Sequence, residues 1–85
     1  MTTLYEGITL RDRVLKLLSS EIEYGGPQSV DDLVKNLNIS NGSSRSIVIK
    51  LLKAGKIERI GRGTYRINGD KRNYKKNKPY YTKPH

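Results

Sequence analysis

Two residues, Asn38 and Ile39, constrain this chain more than any others, because they are all that separates one helical pattern from the next. Upstream, Ser29-Val30-Asp31-Asp32 has the form of a capping box, and Val30, Leu33, Val34 and Leu37 make a compact apolar stripe. Downstream, Ser40 is placed to cap the next helix, since its hydroxyl can accept an orphan N–H of the first turn, and Gly55 supplies a left-handed stop. Asn38 tolerates positive φ and closes the first of these helices, while Ile39 is free to turn inward. Helices joined this tightly cannot lie antiparallel along their full length, so the spacing predicts a steep crossing, the helix-turn-helix arrangement.

A helix from Ser40 to Gly55 has two distinct sides. At 100° per residue Ile47, Val48, Leu51 and Leu52 gather on one, and Gly42, Ser43, Ser46, Ile49, Lys50 and Lys53 on the other, with Arg45 at the border. Beyond Gly55, Lys56–Ile60 and Thr64–Ile67 are rich in β-branched and aromatic residues around Gly61-Arg62-Gly63, which predicts a β-hairpin. Ile57 and Ile60 are three residues apart, so period two fails and a bulge or an early strand end is expected near Ile60.

Ahead of this unit, Thr9-Leu10-Arg11-Asp12 is another capping box, with Leu10, Val14, Leu17, Leu18 and Ile22 at helical spacing. That helix is expected to run to Glu23 or Tyr24 and to stop at Gly25-Gly26-Pro27. Residues 1–8 form an arm whose Leu4 and Tyr5 are candidates for packing, residues 9–68 the folded domain, and residues 69–85 a tail. The tail from Lys71 holds six Lys or Arg, three Tyr, two Pro and no aliphatic or acidic residue, so it reads as a flexible basic arm. The fold class is α+β, mainly α, and the expected core joins Leu17, Leu33, Leu37, Ile39, Val48, Leu52, Ile57 and Tyr65.

Charge is segregated along the chain. Residues 1–40 carry four bases against six acids, net −2, and residues 41–85 carry thirteen bases against Glu58 and Asp70, net +11, which accounts for the overall +9. A field of that sign draws polyanions, nucleic acid before an anionic membrane surface. Catalysis has little to work with: there is no Cys, the one His is His85, and the adjacent Asp31 and Asp32 are explained as helix-start residues. No metal-ligand spacing, phosphate loop, signal segment or membrane-length apolar run is visible, so the expectation is a cytoplasmic non-enzyme without cofactor.

The order helix, short helix, tight turn, helix, hairpin, together with LxIS and then LLKAGKIERIGRGTYRI, resembles the winged helix-turn-helix superfamily over residues 9–68. Leu37, Ile39, Leu52, Gly55, Ile57 and Tyr65 carry the resemblance. Membership implies nucleic-acid binding in most cases and protein docking in a minority. The run from Leu37 to Ile57 is also similar to the winged domain of the archaeal and eukaryotic small-subunit ribosomal protein S-twenty-five, although this chain carries its basic tail at the other end.

Double-stranded DNA is the partner these patterns favour, as for a transcription regulator or chromatin-associated protein. RNA or the ribosome is the alternative, and an acidic protein partner the second. The chain is expected as a monomer or weak homodimer. For a third helix in the major groove, Ser43, Arg45, Ser46 and Ile49 are the residues that reach base edges, with Lys50 and Lys53 nearer phosphate. Ile49 either meets a thymine methyl or packs under the wing. Arg59, Arg62 and Arg66 lie on or beside the wing, where Arg62 suits a narrow minor groove. In the tail, Lys71, Arg72, Lys75, Lys76 and Lys78 offer phosphate contacts, and Tyr74, Tyr80 and Tyr81 suit stacking on unpaired bases.

Overall fold

All three helices open on a side-chain cap. In the computed structural model, which describes residues 9–22 and 24–75, α1 spans Leu10–Ser19, α2 Val30–Leu37 and α3 Asn41–Lys53. At α1 the Asp12 amide donates to Thr9 Oγ1 and the Thr9 amide to the Asp12 carboxylate, both at 3.2 Å. The same reciprocal pair joins Ser29 and Asp32 at 3.0 Å, and the Ser43 amide donates to Ser40 Oγ at 3.1 Å. Each cap satisfies donors that the first helical turn leaves orphaned.

The helix ends differ. Asn38 closes α2 with φ 54°, a conformation asparagine tolerates. α3 ends on the six-to-one bond from the Lys56 amide to the Leu51 carbonyl and the bond from the Gly55 amide to the Leu52 carbonyl, with Gly55 at φ 72°. α1 is shorter than its periodicity predicts: it stops at Ser19, Ser20 is extended, and Ile22 is 47% exposed rather than a core residue. The early stop has a local cause and a distant one. Ser20 Oγ accepts the Ile22 amide, and the Gly26 amide returns to the Leu17 carbonyl. The guanidinium of Arg72 then takes the Leu18 and Ser20 carbonyls, which a continuing helix would have used itself.

A three-stranded antiparallel sheet completes the architecture, in the order β1-β3-β2, with β1 at Gln28–Ser29, β2 at Ile57–Gly61 and β3 at Thr64–Ile67. In the hairpin Ile57 faces Ile67, Glu58 faces Arg66 and Arg59 faces Tyr65; the register then slips so that Gly61 faces Thr64 and Ile60 is the bulged residue. Because Gly61 is paired, the loop is the two residues Arg62-Gly63, with Gly63 at φ 65°. β1 carries no strand signal of its own. It is only two residues long, too short for any alternation, and it pairs Gln28 with Tyr65 and Ser29 with Thr64.

Val14, Leu17, Leu18, Leu33, Ile47, Val48, Leu51 and Ile57 form the buried core. Of the expected set, Leu17, Leu33, Val48 and Ile57 are in it, while Leu37, Leu52 and Tyr65 are partly buried against it. Ile39 is half-buried and outside the cluster, and Leu51 rather than Leu52 is the sealed leucine of α3. Polar side chains also enter the interior. Gln28, fully buried, donates to the Tyr24 carbonyl at 2.8 Å and accepts from Asn36 at 2.9 Å, and Ser44 Oγ donates to the Val30 carbonyl at 3.0 Å. Among the described residues no buried side-chain N or O lacks a partner, so these groups fix helix positions without an uncompensated desolvation cost.

Candidate nucleic-acid interface

α3 reaches the surface because its other side is committed to the core. With Ile47, Val48 and Leu51 buried, helical geometry turns Ser43, Arg45, Ser46, Ile49, Lys50 and Lys53 outward, and all six are exposed. Ile49 is 52% exposed, so it does not pack under the hairpin. The α1 start lies alongside: Thr9, Leu10 and Arg11 line one shallow groove with Gly42, Ser43, Ser46 and Lys50. Arg11 thus joins this face, which sequence reasoning misses because nothing local to α1 says where it crosses α3.

Acids are arranged differently on the three helices. α1 and α2 carry Asp12 and Asp31/Asp32 in their first turns, whereas the first turn of α3 has none, leaving the positive end of its dipole unopposed. The two acids of residues 41–85 are both engaged. Glu58 accepts from Arg66 Nε at 2.8 Å across the hairpin, and Asp70 pairs with Arg72 at 2.9 Å. Arg45, Lys50 and Lys53 make no ion pair among the described residues.

On the hairpin, Arg62 is exposed at the turn, and Arg59 is exposed with its Nε donating to the Gly61 carbonyl at 3.1 Å. Arg66 departs from expectation. Besides Glu58 it donates to the Arg72 carbonyl at 3.1 Å, so its guanidinium belongs to the fold rather than to the surface.

Residues 70–74 also depart from the expected flexible arm. Arg72 donates to the Leu18 carbonyl at 3.0 Å, to the Ser20 carbonyl at 2.6 Å and to the Asp70 carboxylate, and the Tyr74 hydroxyl donates to Asp32 Oδ2 at 2.8 Å. The tail lacks aliphatic residues, yet polar groups hold this part of it, because helix-end carbonyls and a buried carboxylate are acceptors that a guanidinium and a phenol fit. Arg72 and Tyr74 are therefore withdrawn from the contact set. The bonds from Arg72 hold the Asp70 carboxyl below the usual carboxylate range. Burial, and then the bond to Asp32, push the Tyr74 phenol above its ordinary value. Lys71 and Lys75 are exposed; Lys76, Lys78, Tyr80 and Tyr81 lie outside the described residues.

Among the described residues no helix is long and apolar enough to cross a membrane, and no group of three or more His, Cys, Asp or Glu is placed to hold a metal ion. Comparison with known protein families, with curated proteins and with solved structures finds no match for this chain. The class the coordinates define is an α+β unit of three helices and a small antiparallel sheet, displaying one acid-free basic helix face.

Proposed function

We propose that this chain is a winged helix-turn-helix protein that binds double-stranded DNA, with α3 in the major groove, the β2–β3 hairpin as the wing, and service as a transcription regulator or chromatin-associated protein. The observation that carries the reading is the exposed side of α3: Arg45, Lys50 and Lys53 stand on it without an acid partner among the described residues, beside small residues that allow close approach. A solvated face kept only for solubility has no need to exclude acids over a whole helix while the neighbouring acids are tied down. In this reading Arg45 is the side chain for a bidentate guanine contact, Ser43, Ser46 and Ile49 line the base edges, and Lys50 and Lys53 meet phosphate. Arg62 at the wing turn and Arg11 at the α1 start flank the helix on the same polyanion.

Binding to random duplex, single-stranded DNA and structured RNA over a range of salt concentrations tests this. Duplex preference is expected. Arg45→Ala should weaken a preferred site by about 1 to 3 kcal/mol and relax its specificity, whereas Lys53→Ala should weaken all sequences alike and reduce the salt slope by about 1. A preference for RNA replaces the proposal with an RNA- or ribosome-associated role, and no nucleic-acid binding replaces it with docking on an acidic protein.

A further inference from the structure

The early end of α1 leaves an aliphatic side chain outside the core. Ile22 is spaced to continue the α1 apolar stripe, but the backbone is already extended at Ser20, and Ile22 is 47% exposed. Among the described residues the other exposed large hydrophobic is Ile49, which belongs to the α3 face. Ile22 stands between two shallow grooves. The first, about 310 Å³, is lined by Leu17, Tyr24 and Leu37 together with Arg13 and Lys16 of α1, and no acid lines it. Arg13 holds the two helices together there, donating to the Leu37 carbonyl at 3.3 Å. Glu21 lines the second groove, beside Lys75 and an Arg72 whose guanidinium is occupied by the Leu18 and Ser20 carbonyls. Lys16 and Glu21 are both exposed, and neither makes an ion pair among the described residues.

One patch thus holds a projecting aliphatic side chain, a recess with apolar walls beside it, an unpaired base and an unpaired acid. Those are the parts of a self-complementary surface, in which a two-fold axis sets each feature of one copy against its counterpart on the other. We infer that this face is where two copies of the chain associate, Ile22 of each copy entering the groove beside Leu17 and Leu37 of the other, with Glu21 of each facing Lys16 of the other. Net charge opposes any association, but residues 1–40, which supply this patch apart from Lys75 and Arg72 at its margin, carry −2 while residues 41–85 carry +11. The α3 face stays clear of the contact: the start of α1 lies along α3, and the patch is at the other end of this ten-residue helix, about 15 Å away at 1.5 Å per residue. Two copies joined here each keep an open α3 face, whatever polyanion it meets. A patch built on one isoleucine and a shallow recess belongs to the small class of interfaces, below about 1,200 Å² in total, so the association is weak and concentration-dependent.

Sedimentation equilibrium of five full-length proteins, without nucleic acid and from micromolar to millimolar concentration, tests it: the unaltered chain, Ile22→Ser, Lys16→Glu, Glu21→Lys, and the two charge reversals combined. Thermal midpoints at the lowest concentration check that each variant is folded. The unaltered chain is expected to pass from monomer to dimer across the range. Ile22→Ser should weaken the dimer at least about tenfold, and each single reversal, which sets like charges together twice in a symmetric contact, by about tenfold. The combined reversal restores both opposite-charge pairs and should return association to near that of the unaltered chain. Self-repulsion by net charge gives a different pattern, since Lys16→Glu lowers the net charge and would strengthen association while Glu21→Lys raises it and would weaken it. Single reversals that act in opposite directions, a combined reversal no better than either single one, a dimer indifferent to Ile22→Ser, or a monomer at every concentration each overturn the assignment. Should Ile22→Ser fail to fold, the three charge variants alone decide it.

Discussion

The outer face of α3 and the segment 70–74 both carry bases, net +3 and net +1, and they use their arginines in opposite ways. On α3, Arg45, Lys50 and Lys53 stand in solvent without ion pairs among the described residues. In the segment, Arg72 commits its guanidinium to two helix-end carbonyls and a carboxylate. The difference lies in the neighbours and not in the cations. α3 contains no acid, and its Ser40 cap and its C-terminal turn satisfy backbone groups at both ends. The segment has Asp70 two residues from Arg72 and lies beside an α1 whose last carbonyls have no helical partner. A count of positive residues therefore locates a surface that attracts polyanions only after the cations that the fold itself needs have been subtracted.

The largest effect expected from breaking this comparison comes from beneath α3, since its display face exists only while the opposite side is held. Leu51 is 1% exposed and meets the centre of the core. Leu51→Ala should cost about 2 to 5 kcal/mol, a large share of the stability of a domain this small, and Leu52→Ala should cost less. Ile49→Ala, at a position 52% exposed, should stay within about 0.5 kcal/mol. Thermal unfolding of the three variants ranks them; a larger loss at Ile49 than at Leu51 would reverse the two faces.

The same substitution made in the two regions should give opposite readouts. Arg72→Ala removes the donors to Leu18 and Ser20 and should destabilise by about 1 to 3 kcal/mol. Arg45→Ala should leave the thermal midpoint nearly unchanged and act on duplex affinity instead. Paired melting and titration of both variants checks this, and a stability loss at Arg45 to match that at Arg72 would erase the distinction between them.

Much of this arrangement is legible in the sequence because its signals are local. Thr9, Ser29 and Ser40 announce their helices through a hydroxyl placed three residues from the amide it accepts, and Asn38 and Gly55 announce ends through the φ they permit. The broken period at Ile57 and Ile60 even marks the bulge. The features that stay hidden depend on residues distant in sequence. The end of α1 comes earlier than its periodicity implies where Ser20 and Gly26 close the turn and Arg72, far downstream, takes the freed carbonyls. β1 is defined by its partner and not by its own two residues. On the site side, the α3 face is set by helical period, but the removal of Arg66, Arg72 and Tyr74 from the contact set, and the addition of Arg11, depend on which elements meet.

The smallest effect concerns pH, and it again separates the two regions. Asp70 is held below its ordinary value of 3.8 by the hydrogen bonds from Arg72. A carboxyl depressed by folding contributes stability that is present above 3.8 and is lost as pH falls through its lower folded value. The pair is partly open to solvent, with side-chain exposures of 39% for Arg72 and 13% for Asp70, so screening keeps the contribution below about 1 kcal/mol. Tyr74 has the opposite sign: its phenol is raised above 10.0, so its bond to Asp32 contributes fully below that value and is lost as pH rises through the folded one. Thermal midpoints should therefore decline at both extremes. Asp70→Asn should lie below the unaltered chain at neutral pH and converge with it in acid, and Tyr74→Phe should converge with it in alkali. Lys50→Ala, on the exposed α3 face, should leave the thermal midpoint at neutral pH nearly unchanged. Curves for the Asp70 and Tyr74 variants that run parallel to the unaltered chain at every pH would mean that neither ionisation is coupled to the attachment of residues 70–74.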